Sequence, residues 1–251
     1  MTAPALEARG LVRRFGGLVA TDDVTLALQP GARQALIGPN GAGKTTLINL
    51  LTGVTPPSEG SVWLEGVDVT SLAPAERVRR GLARTFQINQ LFPDLTPIES
   101  IGLAISERHR HGADVWRVAG TRGEIVDEID ELLTTFGLID GMDQPTRTLP
   151  YGKQRLLEIA LALACRPRVL LLDEPAAGVP EDERHDILAA LAALPKDVAI
   201  LLIEHDMDLV FNYATRISVL VAGRLLCEGD PKEIANDERV RAVYLGEEAH
   251  G

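Results

Sequence analysis

A glycine-rich stretch with a lysine near its end is the first feature of this sequence that could do chemistry. Residues 38–45, GPNGAGKT, fit the pattern G-x-x-x-x-G-K-[ST] between an apolar strand pattern at 34–38 and an apolar helix pattern. Such glycines let backbone N–H groups curve around a phosphate, and the dipole of the following helix adds partial positive charge. Lys44 can reach the β- and γ-phosphates of a nucleotide, and the Thr45 hydroxyl is placed for Mg²⁺. The predicted phosphate-binding residues are Gly38, Pro39, Asn40, Gly41, Ala42, Gly43, Lys44, Thr45 and Thr46.

Two adjacent carboxylates follow a second apolar run. In VLLLDEP, residues 169–175, Asp173 would end a buried strand, where a carboxylate is costly unless it serves a cation such as Mg²⁺. Glu174 could polarise an attacking water, because phosphoryl transfer depends on a positioned water more than on covalent chemistry. The alternative is that both carboxylates cap a helix.

Three further side chains are candidates for the same site. Gln87 follows GLARTF and His205 follows AILLIE, so both close predicted strands at the edge where parallel strands collect ligands. Gln87 could bind Mg²⁺ or the water, and His205 could contact the γ-phosphate; alternatively, each is a loop residue without a special role. Phe15 could stack on adenine, and a core phenylalanine is an alternative of equal weight.

The elements that position these residues follow from the apolar patterning. Residues 169–172 and 198–203 are continuous apolar runs, which is typical of central parallel strands covered on both faces. Helical periodicity dominates from about 94 to 165. The predicted strands are 6–13, 23–28, 34–38, the hairpin 61–69, 168–174, 197–205 and 216–229, and the predicted helices are 74–80, 96–106, 123–136 and 153–164.

This order of elements predicts an α/β fold. Its core holds a mainly parallel sheet, preceded by an N-terminal antiparallel β subdomain and interrupted by an α-helical subdomain. We expect a single domain over 1–251, with residues 1–93 and 166–251 in the core and β subdomain and residues 94–165 in the helical insertion.

Composition excludes some classes of function. The 251 residues carry 36 acidic and 25 basic side chains, a net charge of −11, which argues against a nucleic-acid partner because such domains usually show a basic patch. Cys165 and Cys227 are far apart in apolar surroundings, so we expect two buried thiols in a reducing compartment. No apolar run reaches the roughly 18 residues that span a bilayer. The sequence therefore predicts a cytosolic protein.

Taken together, these motifs resemble the nucleotide-binding subunit of an ABC transporter over nearly the whole chain. The segments RTFQ, YGKQRLLEIA, DEPAAGV, LLIEHDM and VYLG are similar to the LivG-type ATPase of branched-chain amino acid importers. The resemblance implies a P-loop NTPase (RecA-like) core that hydrolyses ATP with Mg²⁺. It implies catalytic roles for Glu174, His205, Gln87 and Lys44, metal binding by Thr45, Gln87 and Asp173, and adenine stacking by Phe15.

The resemblance also implies partners. Members pair head to tail with a second, homologous ATPase and act on two membrane-spanning permease subunits, which a periplasmic substrate-binding protein serves. The chain would then be cytoplasmic and peripheral on the inner face of the plasma membrane, and its cargo would be branched-chain or hydrophobic amino acids or related small solutes. Two alternatives stay open, a soluble non-transport ABC ATPase and the ATPase of an exporter.

Two departures from the family pattern concern the surface presented to the partner's nucleotide. The general signature begins Leu-Ser-Gly-Gly-Gln, and its serine contacts the γ-phosphate of ATP held by the opposite subunit. Here the serine position is Pro150, and the residues that follow are Tyr151, Gly152 and Lys153. The family's D-loop aspartate also falls on Pro180. We therefore expect a nucleotide site across the dimer that differs from the one built on this chain's own phosphate loop.

Overall fold

The computed structural model describes residues 3–85, 91–109 and 123–248, except for the side chains of 245–248. The strands in these ranges are β1 (Leu6–Phe15), β2 (Leu18–Leu28), β3 (Arg33–Ile37), β4 (Glu59–Leu64), β5 (Val67–Asp68), β6 (Leu82–Arg84), β7 (Val169–Asp173), β8 (Ala199–Ile203), β9 (Arg216–Val221) and β10 (Arg224–Gly229). The helices are α1 (Lys44–Thr52), α2 (Pro74–Arg79), α3 (Pro97–Arg108), α4 (Gly123–Thr135), α5 (Tyr151–Ala164), α6 (Arg184–Ala193), α7 (Met207–Tyr213), α8 (Pro231–Asn236) and α9 (Glu238–Glu248).

The described residues divide into two compact units, and the first unit contains both sheets. It comprises the described parts of Met1–Arg84, Arg168–Glu174 and Lys196–Gly251. One sheet has the order β2-β1-β4-β5 and is antiparallel throughout. The other has the order β10-β9-β3-β8-β7-β6 and is parallel except for β10. The predicted antiparallel N-terminal sheet and mainly parallel sheet are therefore confirmed.

Helix α1 shares one hydrophobic core with both sheets of the first unit. Leu47 and Leu51 of α1 are fully buried in the same cluster as Leu26 of the antiparallel sheet and Leu36 of β3. The neighbours of Leu36 along β3 belong to a second core with residues of β9, α7 and α8. Because side chains alternate across a strand, β3 contributes to both cores and is covered on both faces.

The segment predicted as one strand over 216–229 is instead the hairpin of β9 and β10. The chain reverses at Ala222 and Gly223, whose φ angles are 46° and 79°. A two-residue turn with positive φ at both positions matches the twist of antiparallel strands, which explains why the chain folds back here.

Helices form the second unit, which comprises the described parts of Thr85–Pro167 and Pro175–Pro195. The Arg108 side chain ties three of them together: its guanidinium donates to the carboxylate of Glu128 on α4, at 2.6 and 2.7 Å, and to the Ala164 carbonyl of α5. An inserted helical region was predicted for this part of the chain. The boundaries predicted after residues 93 and 165 remain a prediction, and this unit also includes residues 175–195.

Two further features of the described residues concern membrane segments and the cysteines. Among them, no helix is both long enough and apolar enough to cross a membrane. Both thiols were predicted to be buried, but Cys165 and Cys227 are only partly buried; both are unbridged, and the burial they have raises the pKa of both.

A buried arginine closes the C-terminal end of α1 in the first unit. Arg77 is 1% exposed, and its guanidinium donates to the carbonyls of Leu50 and Leu51 at 2.9 and 2.6 Å. It also donates to the carbonyls of Thr70 and Leu72. The last carbonyls of a helix have no partner within the helix, and a cation there interacts favourably with the helix dipole. Arg77 therefore joins α1 to the segment that leads from β5 to α2.

We expect Arg77→Met to lower the free energy of unfolding by about 3 kcal/mol, because it leaves several buried carbonyls without a donor. Urea unfolding of the purified chain measures the change. Arg80→Met, at the exposed position that directly follows α2, is the matched control and should shift the unfolding free energy by less than about 0.5 kcal/mol. Equal effects of the two variants would contradict the capping role of Arg77.

Candidate functional site

The loop between β3 and α1, predicted to bind phosphate, is packed tightly against its neighbours. Gly43 precedes the helix with a φ of 101°, and a Cβ atom there would lie 2.4 Å from the Ala20 carbonyl oxygen, so no larger residue fits. The Gly223 N–H donates to the Ala42 carbonyl at 2.8 Å and anchors the loop to the β9–β10 turn. The loop is therefore held in a curved shape by contacts on its outer side.

Positive charge and the N-terminus of helix α1 meet at this loop. The N-cap residue of α1 is Gly43, which has no side chain to cap the helix, and the first turn contains no acidic residue. The Lys44 Nζ donates to the carbonyls of Gly38 and Pro39 at 2.6 and 3.1 Å, so the ammonium group lies over the loop. Thr45, next on α1, is exposed. A helix N-terminus, a lysine and a hydroxyl together fit the phosphates of a nucleotide.

Asp173 and Glu174 lie where β7 ends, on the same edge of the parallel sheet. Asp173 pairs with Ile203 of the neighbouring β8 and is buried. The Glu174 N–H donates to the Ile203 carbonyl at 2.9 Å, and Glu174 has a φ of 48°. Such a backbone angle is strained for a residue with a side chain, and strain of this kind is common at functional sites. The backbone pairing of β7 with β8 therefore fixes the position of the Glu174 backbone, from which the side chain extends.

His205 lies beside Glu174, as the closing of neighbouring parallel strands predicted. The His205 Nδ1 is 3.8 Å from Glu174 Oε1 and 3.8 Å from Oε2 of the buried Glu204, both beyond hydrogen-bond length. The His205 N–H donates to the Glu204 carboxylate at 3.2 Å, which fixes the backbone there. The imidazole itself is 66% exposed and accessible to a ligand.

Sequence reasoning missed one buried cation in this group. The Arg84 guanidinium donates to Asp173 Oδ2 at 2.8 Å and to Asn49 Oδ1 at 2.7 Å. The signal that could have found it is a positively charged residue at the end of β6, the strand that pairs with β7. The Asp173 carboxylate is therefore paired within the chain.

The remaining predicted residues of this group have different outcomes. Phe15 ends β1 and is 48% exposed, so it is not a core phenylalanine. The Arg13 guanidinium lies over the Phe15 ring, 4.6 Å from its centroid. Gln87 lies outside the described residues, and its part in the site stays a prediction.

The residues of the divergent signature begin α5 in the second unit. Pro150 precedes the helix and makes no side-chain capping bond. The Gly152 N–H donates to Oε2 of Glu183 at 3.0 Å, and a Cβ at Gly152 would lie 2.2 Å from that same atom. Lys153 Nζ is 3.5 Å from Asp186 of α6. In this structure, therefore, a carboxylate of the same chain occupies the first turn of α5.

The loop that carries Glu183 also contains the second departure from the family pattern. Pro180 precedes a single 3₁₀ turn, Glu181–Glu183, which leads into α6. The Tyr151 ring packs against Gly178 of the same loop, where an added Cβ would lie 3.3 Å from the ring. Sequence reasoning did not anticipate the Glu183 contact, because 31 residues separate it from Gly152.

Comparison with known proteins gives a consistent assignment. The family described as ABC transporter matches residues 21–177, and the one described as branched-chain amino acid ATP-binding cassette transporter matches residues 224–250. The chain is 39% identical to the high-affinity branched-chain amino acid transport ATP-binding proteins BraF of Pseudomonas aeruginosa and LivG of Escherichia coli K12, over 98% of this chain and 100% of each relative.

Solved structures agree with the sequence comparison. The ADP conformation of an ATP-binding cassette of an ABC transporter superposes with a TM-score of 0.82 and 32% sequence identity, over 98% of this chain and 100% of that one. The phosphate loop, the carboxylates at the end of β7 and these matches along the whole length lead to one conclusion. The chain belongs to the ABC transporter family and is an ATP-binding, ATP-hydrolysing transporter subunit.

Proposed function

We propose that this chain hydrolyses ATP with Mg²⁺ to energise an importer of branched-chain or other hydrophobic amino acids or related small solutes. The observation that carries the proposal is the 39% identity to BraF and LivG, which spans both proteins in full. The match of the C-terminal segment 224–250 to a family named for branched-chain amino acid transport supports the same cargo class.

The phosphate loop provides the binding step. The N–H groups at the start of α1 face the nucleotide phosphates, and Lys44 moves its ammonium group from the Gly38 and Pro39 carbonyls to the β- and γ-phosphate oxygens. Phe15 holds the adenine ring by stacking, at an exposed position of the first unit.

The Thr45 hydroxyl and the Asp173 carboxylate are the groups of the described chain that would hold Mg²⁺. Both are oxygen ligands, which Mg²⁺ prefers, and two protein groups suffice because the nucleotide phosphates and water complete the shell. Gln87 is a further proposed ligand. When bound, Mg²⁺ neutralises the charge that develops on the β- and γ-phosphates.

Glu174 and His205 act on the hydrolytic step. The Glu174 carboxylate accepts a hydrogen bond from the attacking water and orients it, while the exposed His205 imidazole contacts the γ-phosphate. The strained Glu174 backbone supports this role because it fixes the direction from which the carboxylate approaches. Lys44 stabilises the charge of the transferring group.

The proposed assembly places two such subunits head to tail beneath two permease subunits, which hold them at the inner face of the membrane. A periplasmic binding protein delivers the cargo. Each ATP lies between the phosphate loop of one ATPase and the signature of the other, and the partner ATPase is a homologous chain. Residues 150–153 of this chain therefore face the nucleotide of the partner.

The function is tested by Glu174→Gln in transporter purified with its permeases and reconstituted in vesicles. The variant should bind ATP normally but lose ATPase activity and leucine uptake by more than about tenfold, roughly 1.4 kcal/mol of barrier, because an amide cannot accept the proton of the water. Glu65→Gln, at an exposed turn of the same unit, is the matched control and should retain both activities. ATP hydrolysis without uptake of any branched-chain amino acid would contradict the proposed cargo, and retained hydrolysis in Glu174→Gln would contradict the role of Glu174.

Stacking on Phe15 predicts a loss of ATP affinity of about 1–3 kcal/mol in Phe15→Ala. Phe15→Trp should largely keep the affinity, since tryptophan preserves the aromatic face. Equilibrium binding of a fluorescent ATP analogue measures both. Leu18→Ala, which removes an exposed apolar side chain directly across the hairpin, is the control and should leave binding unchanged. Equal losses in the alanine and tryptophan variants would contradict stacking.

The divergent signature predicts two unequal ATP sites in a heterodimer. Pro150 has neither the serine hydroxyl nor an N–H, and the loss of one charge-assisted hydrogen bond to phosphate costs about 1.5–3 kcal/mol, up to about a hundredfold in turnover. The site built on this chain's Lys44 and Glu174 should therefore carry most of the hydrolysis. The site that faces Pro150 should bind ATP and turn over slowly.

This inequality is measured by the ATPase activity of the assembled transporter. Glu174→Gln in this chain should remove most activity, and the matching change in the partner should remove little. Adding Pro150→Ser to Glu174→Gln should raise the residual rate, whereas Pro145→Ser, at another proline that precedes a helical turn of the same unit, should not. Equal loss from the two glutamate variants would contradict the inequality and leave Pro150 a turn residue.

A further inference from the structure

Arg84 forms a bridge between two elements that the proposed site needs in a fixed arrangement. One guanidinium nitrogen donates to Asp173 Oδ2 at the end of β7, and another donates to Asn49 Oδ1 on α1. The Arg84 and Asp173 side chains are only 10% and 6% exposed. The planar fork of an arginine can serve two acceptors at once, which a lysine ammonium does with less directional precision.

The bridge determines which face of α1 lies toward Asp173. Asn49 is four residues after Thr45, so the two side chains lie on the same face of the helix. Holding Asn49 beside the Arg84 guanidinium therefore turns the face that carries the Thr45 hydroxyl toward the end of β7. Thr45 and Asp173 are the two groups of the described chain proposed to hold Mg²⁺.

Arg84 has two opposing effects on a metal ion at Asp173. The hydrogen bond to Oδ2 fixes the plane of the Asp173 carboxylate. The Arg84 cation also repels Mg²⁺ directly, so the two effects oppose each other and an experiment can separate them.

We infer that Arg84 is a positioning residue for Mg²⁺-nucleotide: it sets the Asp173 carboxylate and the Thr45 face of α1 at the spacing that Mg²⁺ requires. The inference rests on the proposed function, because it takes Asp173 and Thr45 as the Mg²⁺ ligands. Arg84 contacts neither nucleotide nor metal in this role. Its contribution is therefore to the gain in nucleotide affinity that Mg²⁺ brings, and not to the affinity measured without metal.

The test is equilibrium binding of a fluorescent ATP analogue to the purified full chain, first in EDTA and then in a Mg²⁺ titration. Arg84→Gln should bind within about twofold of the unchanged chain in EDTA, because the phosphate loop is intact. Its gain in affinity on adding Mg²⁺ should be smaller by about tenfold, since the amide supplies neither the charge nor the second bond. Arg84→Lys keeps the charge, and its gain in affinity with Mg²⁺ should lie between those of the unchanged chain and Arg84→Gln.

Asn49→Ala isolates the orienting effect, because it breaks the bridge on the α1 side and leaves the Arg84–Asp173 pair in place. Like Arg84→Lys, it should lower the gain in nucleotide affinity that Mg²⁺ brings. Arg80→Gln, at an exposed arginine of the same unit, is the matched control and should change nothing. Thermal unfolding of each variant identifies any that is misfolded, and Arg84→Lys and Asn49→Ala test the inference if Arg84→Gln does not fold.

Each outcome has a distinct meaning. An unchanged Mg²⁺ gain in Arg84→Gln would overturn the inference, and a larger gain would show that Arg84 acts only as a competing charge. Equal losses in EDTA and in Mg²⁺ would show a general structural role and would also overturn it. Asp173→Asn distinguishes a failure of the proposed metal site from a failure of the role proposed for Arg84. If Asp173→Asn retains the gain in affinity with Mg²⁺, the proposed metal site is wrong. If Asp173→Asn loses this gain and the Arg84 variants keep it, only the role of Arg84 is wrong.

Discussion

Parallel pairing of β3, β8 and β7 is the constraint on which the catalytic half of this molecule depends. Strands that run in the same direction end at the same edge of the sheet. The phosphate loop after Ile37, the carboxylates after Leu172 and His205 after β8 therefore lie at one edge, although they are far apart in sequence. The central strands are covered on both faces, which makes the register difficult to shift. A change of one residue in the β7–β8 register would move Asp173 to the opposite face of the sheet.

Much of this arrangement could be predicted because its determinants are local. The spacing of glycines and Lys44 defines the phosphate loop by itself, and continuous apolar runs identify the central strands. The hairpin of β9 and β10 was read as one strand, although Ala222–Gly223 carries a turn signal, because apolar residues continue on both sides of it. Local patterns thus locate the elements well and mark the turns between them less reliably.

What the sequence could not supply is the partners of buried polar side chains. Arg84 meets Asp173 only because β6 pairs with β7 in one particular register, and it meets Asn49 only because α1 packs between the sheets. Arg77 likewise closes α1 through a contact across 26 or more residues. Such pairs depend on the assembled fold, and no periodicity along the chain reports them.

The two helix N-termini that could bind a phosphate differ in the groups at their first turns. Helix α1 begins after Gly43, which has no side chain to cap the helix, and its first turn carries no acidic residue, so this N-terminus suits a phosphate. Helix α5 begins with the Gly152 N–H bonded to Glu183, an anion from the same chain. One N–H hydrogen makes one strong bond, so a phosphate that binds at Gly152 has to replace that carboxylate and overcome its repulsion. Because Glu183 lies on the same short loop as Pro180, the two departures from the family pattern lie close together in the second unit.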